Sequence, residues 1–153
     1  MIHRVNILNE LNDERNFQEI DQVIFATLTY LSAPPGDMSL VLTDNATIQK
    51  MNKQFMDIDK PTDVLSFPDG DTDQETGRVY FGDVMIAVPY AEKQALESGN
   101  SLADEIALLS IHGVLHLFGF LHSDPEDRQK MWSIQDDILK QIGCEIESPR
   151  YQL

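Results

Sequence analysis

The segment Ser101-Leu-Ala-Asp104-Glu105-Ile106-Ala-Leu-Leu-Ser-Ile111-His112-Gly113-Val-Leu-His116-Leu-Phe-Gly119-Phe-Leu-His122 decides how this chain is read. Ser101 and Asp104 have the spacing of a capping box, so a helix starts here. Residues 106–111 are apolar nearly all round, which predicts a central, buried helix. Gly119 is placed to end it in a left-handed conformation. His112 and His116 are four residues apart, on one face and one turn above the other. The chain then reverses, and His122 can swing back toward them. Three of the four histidines of the chain thus fall in eleven residues with the spacing H-x3-H-x5-H.

Working outward, residues 2–8 read as a first strand. Phe17 to Leu31 repeats its apolar positions every three and four residues, the period of an amphipathic helix, and Pro34-Pro35-Gly36 stops it. Met38–Thr43 suits a strand. Asp44 or Asn45 caps a helix carrying Ile48, Met51, Asn52 and Phe55 on one side. Asp63–Phe67 reads as a strand, residues 68–77 as a solvated acidic loop, and Val79–Val88 as the longest strand. Pro89 opens a helix and Gly99 ends it. Asp124-Pro125-Glu126-Asp127 starts a last helix, with Met131, Ile134, Ile138 and Ile142 on its buried face and Gly143 at its end. The order β-α-β-α-β-β-α-α-α predicts an α+β fold. It is a small mixed sheet of about four strands with about five helices packed on it, the histidine helix buried at the centre. Residues 1–153 are expected to form one domain.

Composition narrows the function. Hydrophobic residues are 42% and charged residues 24% of the 153, as in a globular protein and unlike a disordered chain. The net charge is −15, which disfavours generic coating of nucleic acid and gives no reason to expect DNA as a partner. Cys144 is the one cysteine, so neither an internal disulfide nor a thiolate metal cage can form; it is read as inert. No apolar stretch approaches the ~20 residues needed to span a bilayer, and the N-terminus resembles no signal peptide. A cytoplasmic protein without membrane partners is expected.

Three imidazoles and an open position are the arrangement of a catalytic zinc site, although imidazole also suits nickel, copper and iron. His112, His116 and His122 are therefore the expected metal ligands. A packing role explains one buried histidine but not three, because two imidazoles side by side without a shared cation leave polar groups unsatisfied at about 1–3 kcal/mol each. The spacing also matches the protease motif H-E-x-x-H-x-x-G-x-x-H. Position 113 is glycine, so the glutamate that serves such proteases as general base is missing. The ion is left as Lewis acid and activator of water; beyond that water, no catalytic group is assigned.

These residues resemble the YbeY family of metal-dependent endoribonucleases of ribosomal RNA maturation, whose signature is H-G-x-x-H-L-x-G-[YF]-D-H. Asp59-Lys60-Pro61-Thr62-Asp63-Val64-Leu65-Ser66-Phe67-Pro68 and Phe81-Gly82-Asp83-Val84-Met85-Ile86 look like two further family blocks, and Met51-Asn52 like its L-N pair. The resemblance covers roughly residues 38–124. It implies a single-strand-directed endoribonuclease, a bound zinc ion, and association with ribosomal RNA, the small ribosomal subunit and its assembly factors. Two positions depart from the pattern. Met56 stands where the family has an arginine, and Leu121 where it has an aspartate, for which Asp124 is the available substitute. The rival readings are a non-catalytic ribosome assembly factor with a structural metal and a metallopeptidase.

Other residues are weighed beside these. Residues 45–62 hold Lys50, Lys53 and Lys60 against Asp57 and Asp59, a net charge of +1. Lys53 and Lys60 are the expected contacts for an RNA backbone. Asp69, Asp71 and Asp73 alternate as in a calcium loop, but Gln74 and Tyr80 occupy the positions where glycine and glutamate are required. Asp63 and Asp83 are candidates to bond a histidine or a substrate hydroxyl. Glu105 lies ~10 Å from His112 along the helix, too far for a ligand. Trp132 is expected in the core.

Overall fold

The computed structural model describes residues 2–11, 17, 19–146 and 148. Among these residues four strands, β1 (His3–Asn9), β2 (Gly36–Thr43), β3 (Val64–Pro68) and β4 (Val79–Ala87), form one sheet in the order β1-β2-β4-β3. β1 and β4 pair parallel to β2, and β3 pairs antiparallel to β4 at the edge. Among the described residues five helices accompany them: α1 (Ile20–Tyr30), α2 (Asn45–Met56), α3 (Val88–Ser98), α4 (Leu102–Leu117) and α5 (Pro125–Gln141). The expected α+β architecture and order of elements are present. Among the described residues no helix is long and apolar enough to cross a membrane.

Strand periodicity sorts the core into layers, since successive side chains point to opposite faces. Met38, Leu40, Leu42, Val84 and Ile86 meet Ile20, Ile24 and Leu28 of α1 and Ile106 and Leu109 of α4. On the other face Leu65, Met85 and Ala87 meet Ile48 of α2. Leu108, Ile111 and Leu115 turn away from the sheet and pack on Met131, Trp132, Ile138 and Leu139 of α5. α4 is therefore enclosed on all sides, as its uniform apolarity predicts. Opposite Asp37 and Met38, β4 holds one extra residue, so that Phe81 joins the same core face as Val84 and Ile86. Gly82 takes a φ of 130° at this bulge.

Some expectations are corrected. α1 begins at Ile20, and Phe17 packs on the core from outside the helix. The buried face of α5 is Met131, Trp132, Gln135, Ile138 and Leu139, with Ile134 and Ile142 only half-buried. Phe55 is 54% exposed, not turned inward with Ile48. The acidic loop is exposed as expected, and it is ordered as an extension of the β3–β4 hairpin: Asp69 N donates to Phe81 O, Gly70 N to Tyr80 O, and Thr72 bridges Val79. Its carboxylates accept from nearby backbone N–H groups, Asp69 from Asp71 N and Asp73 from Glu75 N and Thr76 N. They are turn formers.

Gly113 sets how closely α4 lies on the sheet. A Cβ there would sit 2.5 Å from Val84 Cγ1 and 3.3 Å from Ser66 Oγ. Its carbonyl accepts a hydrogen bond from Ser66 Oγ at 2.8 Å. Glycine costs a helix interior about 1 kcal/mol relative to alanine, and here the close approach offsets that cost. Gly113→Ala should lower stability by about 1–3 kcal/mol in chemical denaturation despite the better helix former. In a double-mutant cycle the loss should couple to Val84→Ala; a stabilised Gly113→Ala protein would contradict this packing.

Candidate metal centre

α4 ends by a mechanism that also builds the site. Gly119, at φ 89°, follows the last turn; its N–H donates to His116 O and the Phe120 N–H to Leu115 O. This is a Schellman cap, with Phe120 and Leu115 in one apolar cluster. The cap aims the Phe120 carbonyl back at the helix, where it accepts from His116 Nδ1 at 2.8 Å. His112 Nδ1 donates to Gln135 Oε1 of α5 at 2.7 Å, and Gln135 Nε2 donates to Ser148 Oγ at 2.8 Å. Both acceptors are oxygens without protons, so each ring carries its proton on Nδ1 and presents a bare Nε2.

Those two Nε2 atoms lie 3.0 Å apart. Neither has a proton to share while both rings are neutral. Burial, reinforced by the neighbouring His116 and His122, pushes the His112 pKa down to about 3, and burial and then His122 lower that of His116. Two lone pairs at this distance repel unless a cation lies between them. His122, delivered by the reversal after Gly119, sets its ring 5.2 Å from His112 and 5.0 Å from His116, centre to centre. One ligand atom from each of the three lies within 4.8 Å of the others. The donor set fits a borderline divalent ion bound by neutral imidazole.

The three histidines line a cavity of about 500 Å3 between α4 and the β3 edge, with Ile58, Asp63, Tyr90 and Trp132 among its walls. Trp132 is buried as expected, but its ring also stands 5.8 Å from that of His112 and 5.7 Å from that of His122. Asp63 reaches the cavity without bonding a histidine: its carboxylate accepts from Val64 N at 2.7 Å and Thr62 Oγ1 at 3.3 Å, and burial raises its pKa. Asp83 accepts from the Tyr80 hydroxyl and is not part of the lining. Glu105 is buried and receives Asn100 Nδ2 at 3.4 Å. Asp124 accepts from Asp127 N at 2.8 Å and so caps α5, while Leu121 is 57% exposed. The outer contacts to the histidines come from Gln135 and the Phe120 carbonyl. Lys53 and Lys60 are exposed and outside the lining, on either side of Ile58 in sequence; Lys53 Nζ is 3.8 Å from Asp59 Oδ2. Gln135 was absent from the reading of the sequence. Its signal is that of a lone polar residue at helical spacing among Met131, Trp132, Ile138 and Leu139.

Comparison with known proteins agrees with this geometry. The sequence model of the family Endoribonuclease YbeY matches residues 4–143. A protein named Endoribonuclease YbeY from Persephonella marina is 39% identical over 143 residues, covering 92% of this chain and 94% of its own. One of the same name from Acetivibrio thermocellus is 41% identical over 123 residues, 72% of this chain and 76% of its own. The solution structure of TM1509 from Thermotoga maritima shares the fold with a TM-score of 0.55 at 22% identity, over 97% of this chain and 99% of that one. With a match along nearly its whole described length, and with three histidines converging in space as their spacing in sequence requires, this chain belongs to the YbeY family of endoribonucleases.

Proposed function

We propose that residues 1–153 form a single-domain, zinc-dependent endoribonuclease that cuts single-stranded segments of ribosomal RNA in the cytoplasm, in contact with the small ribosomal subunit and its assembly factors. The observation that carries this reading is the pair of bare Nε2 atoms 3.0 Å apart at the wall of an open cavity. His112, His116 and His122 hold the ion, which when bound supplies Lewis-acid polarisation of a phosphate oxygen and lowers the pKa of water. Gln135 Oε1 and the Phe120 carbonyl hold the proton of each ring on Nδ1, so that Nε2 faces inward. Lys53 and Lys60 draw the RNA backbone toward the β3 edge. The family name of the relatives favours an enzyme over a non-catalytic assembly factor. The metallopeptidase reading is disfavoured at Gly113, where Val84 leaves no room for the glutamate side chain.

Three outcomes are expected. Purified protein should cleave structured RNA at its single-stranded segments, and both chelator and His116→Ala should abolish the cleavage; activity surviving both would belong to another protein. Gln135→Leu should keep the fold and weaken zinc affinity about 10–100-fold in a competition titration with a chromophoric chelator. The third outcome concerns pH. The His112 ring has an ordinary value of 6.5 in the unfolded chain and about 3 in the folded one. Below pH 6.5 the unfolded state therefore binds the extra proton, so the stability is full above 6.5 and falls as the pH drops toward 3, at up to about 1.4 kcal/mol per pH unit for this ring. Urea midpoints of metal-free protein should decline less steeply in His112→Gln than in the wild type, and identical slopes would refute the buried neutral ring.

A further inference from the structure

The last turn of α2 and the residues just after it put large apolar side chains into water. Phe55, Met56 and Ile58 are 54%, 46% and 50% exposed, on a chain with a net charge of −15. The turn wraps the edge strand β3. Phe55 meets Phe67 in a T-shaped contact, ring centres 5.3 Å apart, which leaves half of the residue uncovered. Ile58 lines the histidine cavity. The turn is held in place: Asp57 sits in the left-handed region at φ 58°, Asn52 Nδ2 donates to Lys60 O at 2.9 Å, and Gln49 Nε2 to Asp59 Oδ1 at 3.1 Å. The apolar surface is presented by fixed backbone, and of its three side chains Ile58 is the one that reaches the wall of the histidine cavity.

Its charge selects the occupant. Lys53 is engaged by Asp59, Asp57 lies between Met56 and Ile58, and no arginine occurs between residues 16 and 77. Residues 45–62 carry a net charge of +1, so a phosphate gains little beyond Lys53 and Lys60, and the apolar side chains are left to meet an uncharged group. A nucleobase is neutral, has an apolar face, and stacks on an aromatic ring whatever its identity. We propose that Phe55, with Met56 and Ile58 beside it, is a stacking platform for an unpaired nucleobase of the strand whose phosphate enters the histidine cavity. This rests on the RNA reading above and extends it. A duplex keeps its bases stacked on one another and offers no free face, so the platform selects single strands. Lys53 and Lys60 then flank the platform as weak backbone contacts.

The test is steady-state cleavage of a short labelled oligoribonucleotide by the zinc-loaded full chain, and of the same strand with abasic riboses replacing individual bases. Phe55→Ala should raise KM about tenfold with little change in kcat, and Phe55→Trp should restore it. An abasic site that weakens wild-type binding should make no further difference in Phe55→Ala. The dependence of affinity on salt should be unchanged, since no phosphate contact is lost. Leu96→Ala, a 77% exposed residue of α3, should behave as wild type. If wild type cuts the strand with dependence on His116 while Phe55→Ala and Met56→Ala keep its KM and its abasic penalty, the platform is refuted and the nuclease stands. A salt slope reduced by about one in Phe55→Ala would place a phosphate there and overturn the platform as well. A wild-type protein that neither binds nor cuts RNA overturns both readings.

Discussion

Two imidazole nitrogens stripped of protons face each other on consecutive turns of α4, and much of the molecule is arranged to keep them so. The Nδ1 proton of His116 is committed to the carbonyl that the Schellman cap exposes, and that of His112 to an amide on α5. The first commitment needs Gly119 in its left-handed state; the second needs α5 docked through Trp132 and Ile138. Ser148 then closes the Gln135 amide from beyond α5. An ion held at the site would therefore bond to three residues but draw on helix termination, helix packing and the following segment together. In such an arrangement metal affinity is also folding free energy, and outer contacts matter nearly as much as ligands.

The same helix must face the sheet as well as the histidine cavity, and Gly113 is where the two demands meet. One residue past His112, its backbone lies against Val84 and takes the Ser66 hydroxyl on its carbonyl. Close packing of this kind leaves no gap to fill without displacement. In the protease pattern this position carries the general base. Here the packing of α4 on β4 and the absence of that base are one fact, so the fold itself steers the histidines away from that peptidase route.

How much of this was legible depends on range. The histidine triad, the Gly119 stop, the Asp44, Ser101 and Asp124 caps and the order of elements are local patterns, set by periods of 3.6 and 2 and by capping chemistry, and they appear in the structure. The strand order β1-β2-β4-β3 and the bulge at Gly82 depend on pairings distant in sequence. Gln135 reads as a polar interruption until α4 and α5 are placed together. Ile134 and Ile142 were assigned to a face that Trp132 and Leu139 occupy, because a stripe of isoleucines fixes the period of a helix more firmly than its rotation. Phe55 follows the helical pattern of Ile48 and Met51 yet meets the edge strand through Phe67 and stays half in water. Leu121 and Met56 are departures whose setting only coordinates reveal: both side chains stand in water.

The net charge of −15 is at odds with a polyanionic substrate until the acids are followed to their partners. Asp44, Asp69, Asp73 and Asp124 each accept a backbone N–H at a helix start or turn. Asp37 pairs with Arg78 at 2.6 Å, which holds its carboxyl below the usual range. These carboxylates serve the fold, and their combined field repels RNA at long range. Attraction must then act at contact, where screening by salt leaves little of the field beyond ~8–10 Å. Stacking and burial of apolar area are short-ranged and indifferent to sign, and the lysines beside the α2 turn add charge only locally. A site built this way discriminates by the state of the strand: an unpaired base within reach gains contact area, whereas a paired one brings phosphates toward an acidic surface and gains nothing.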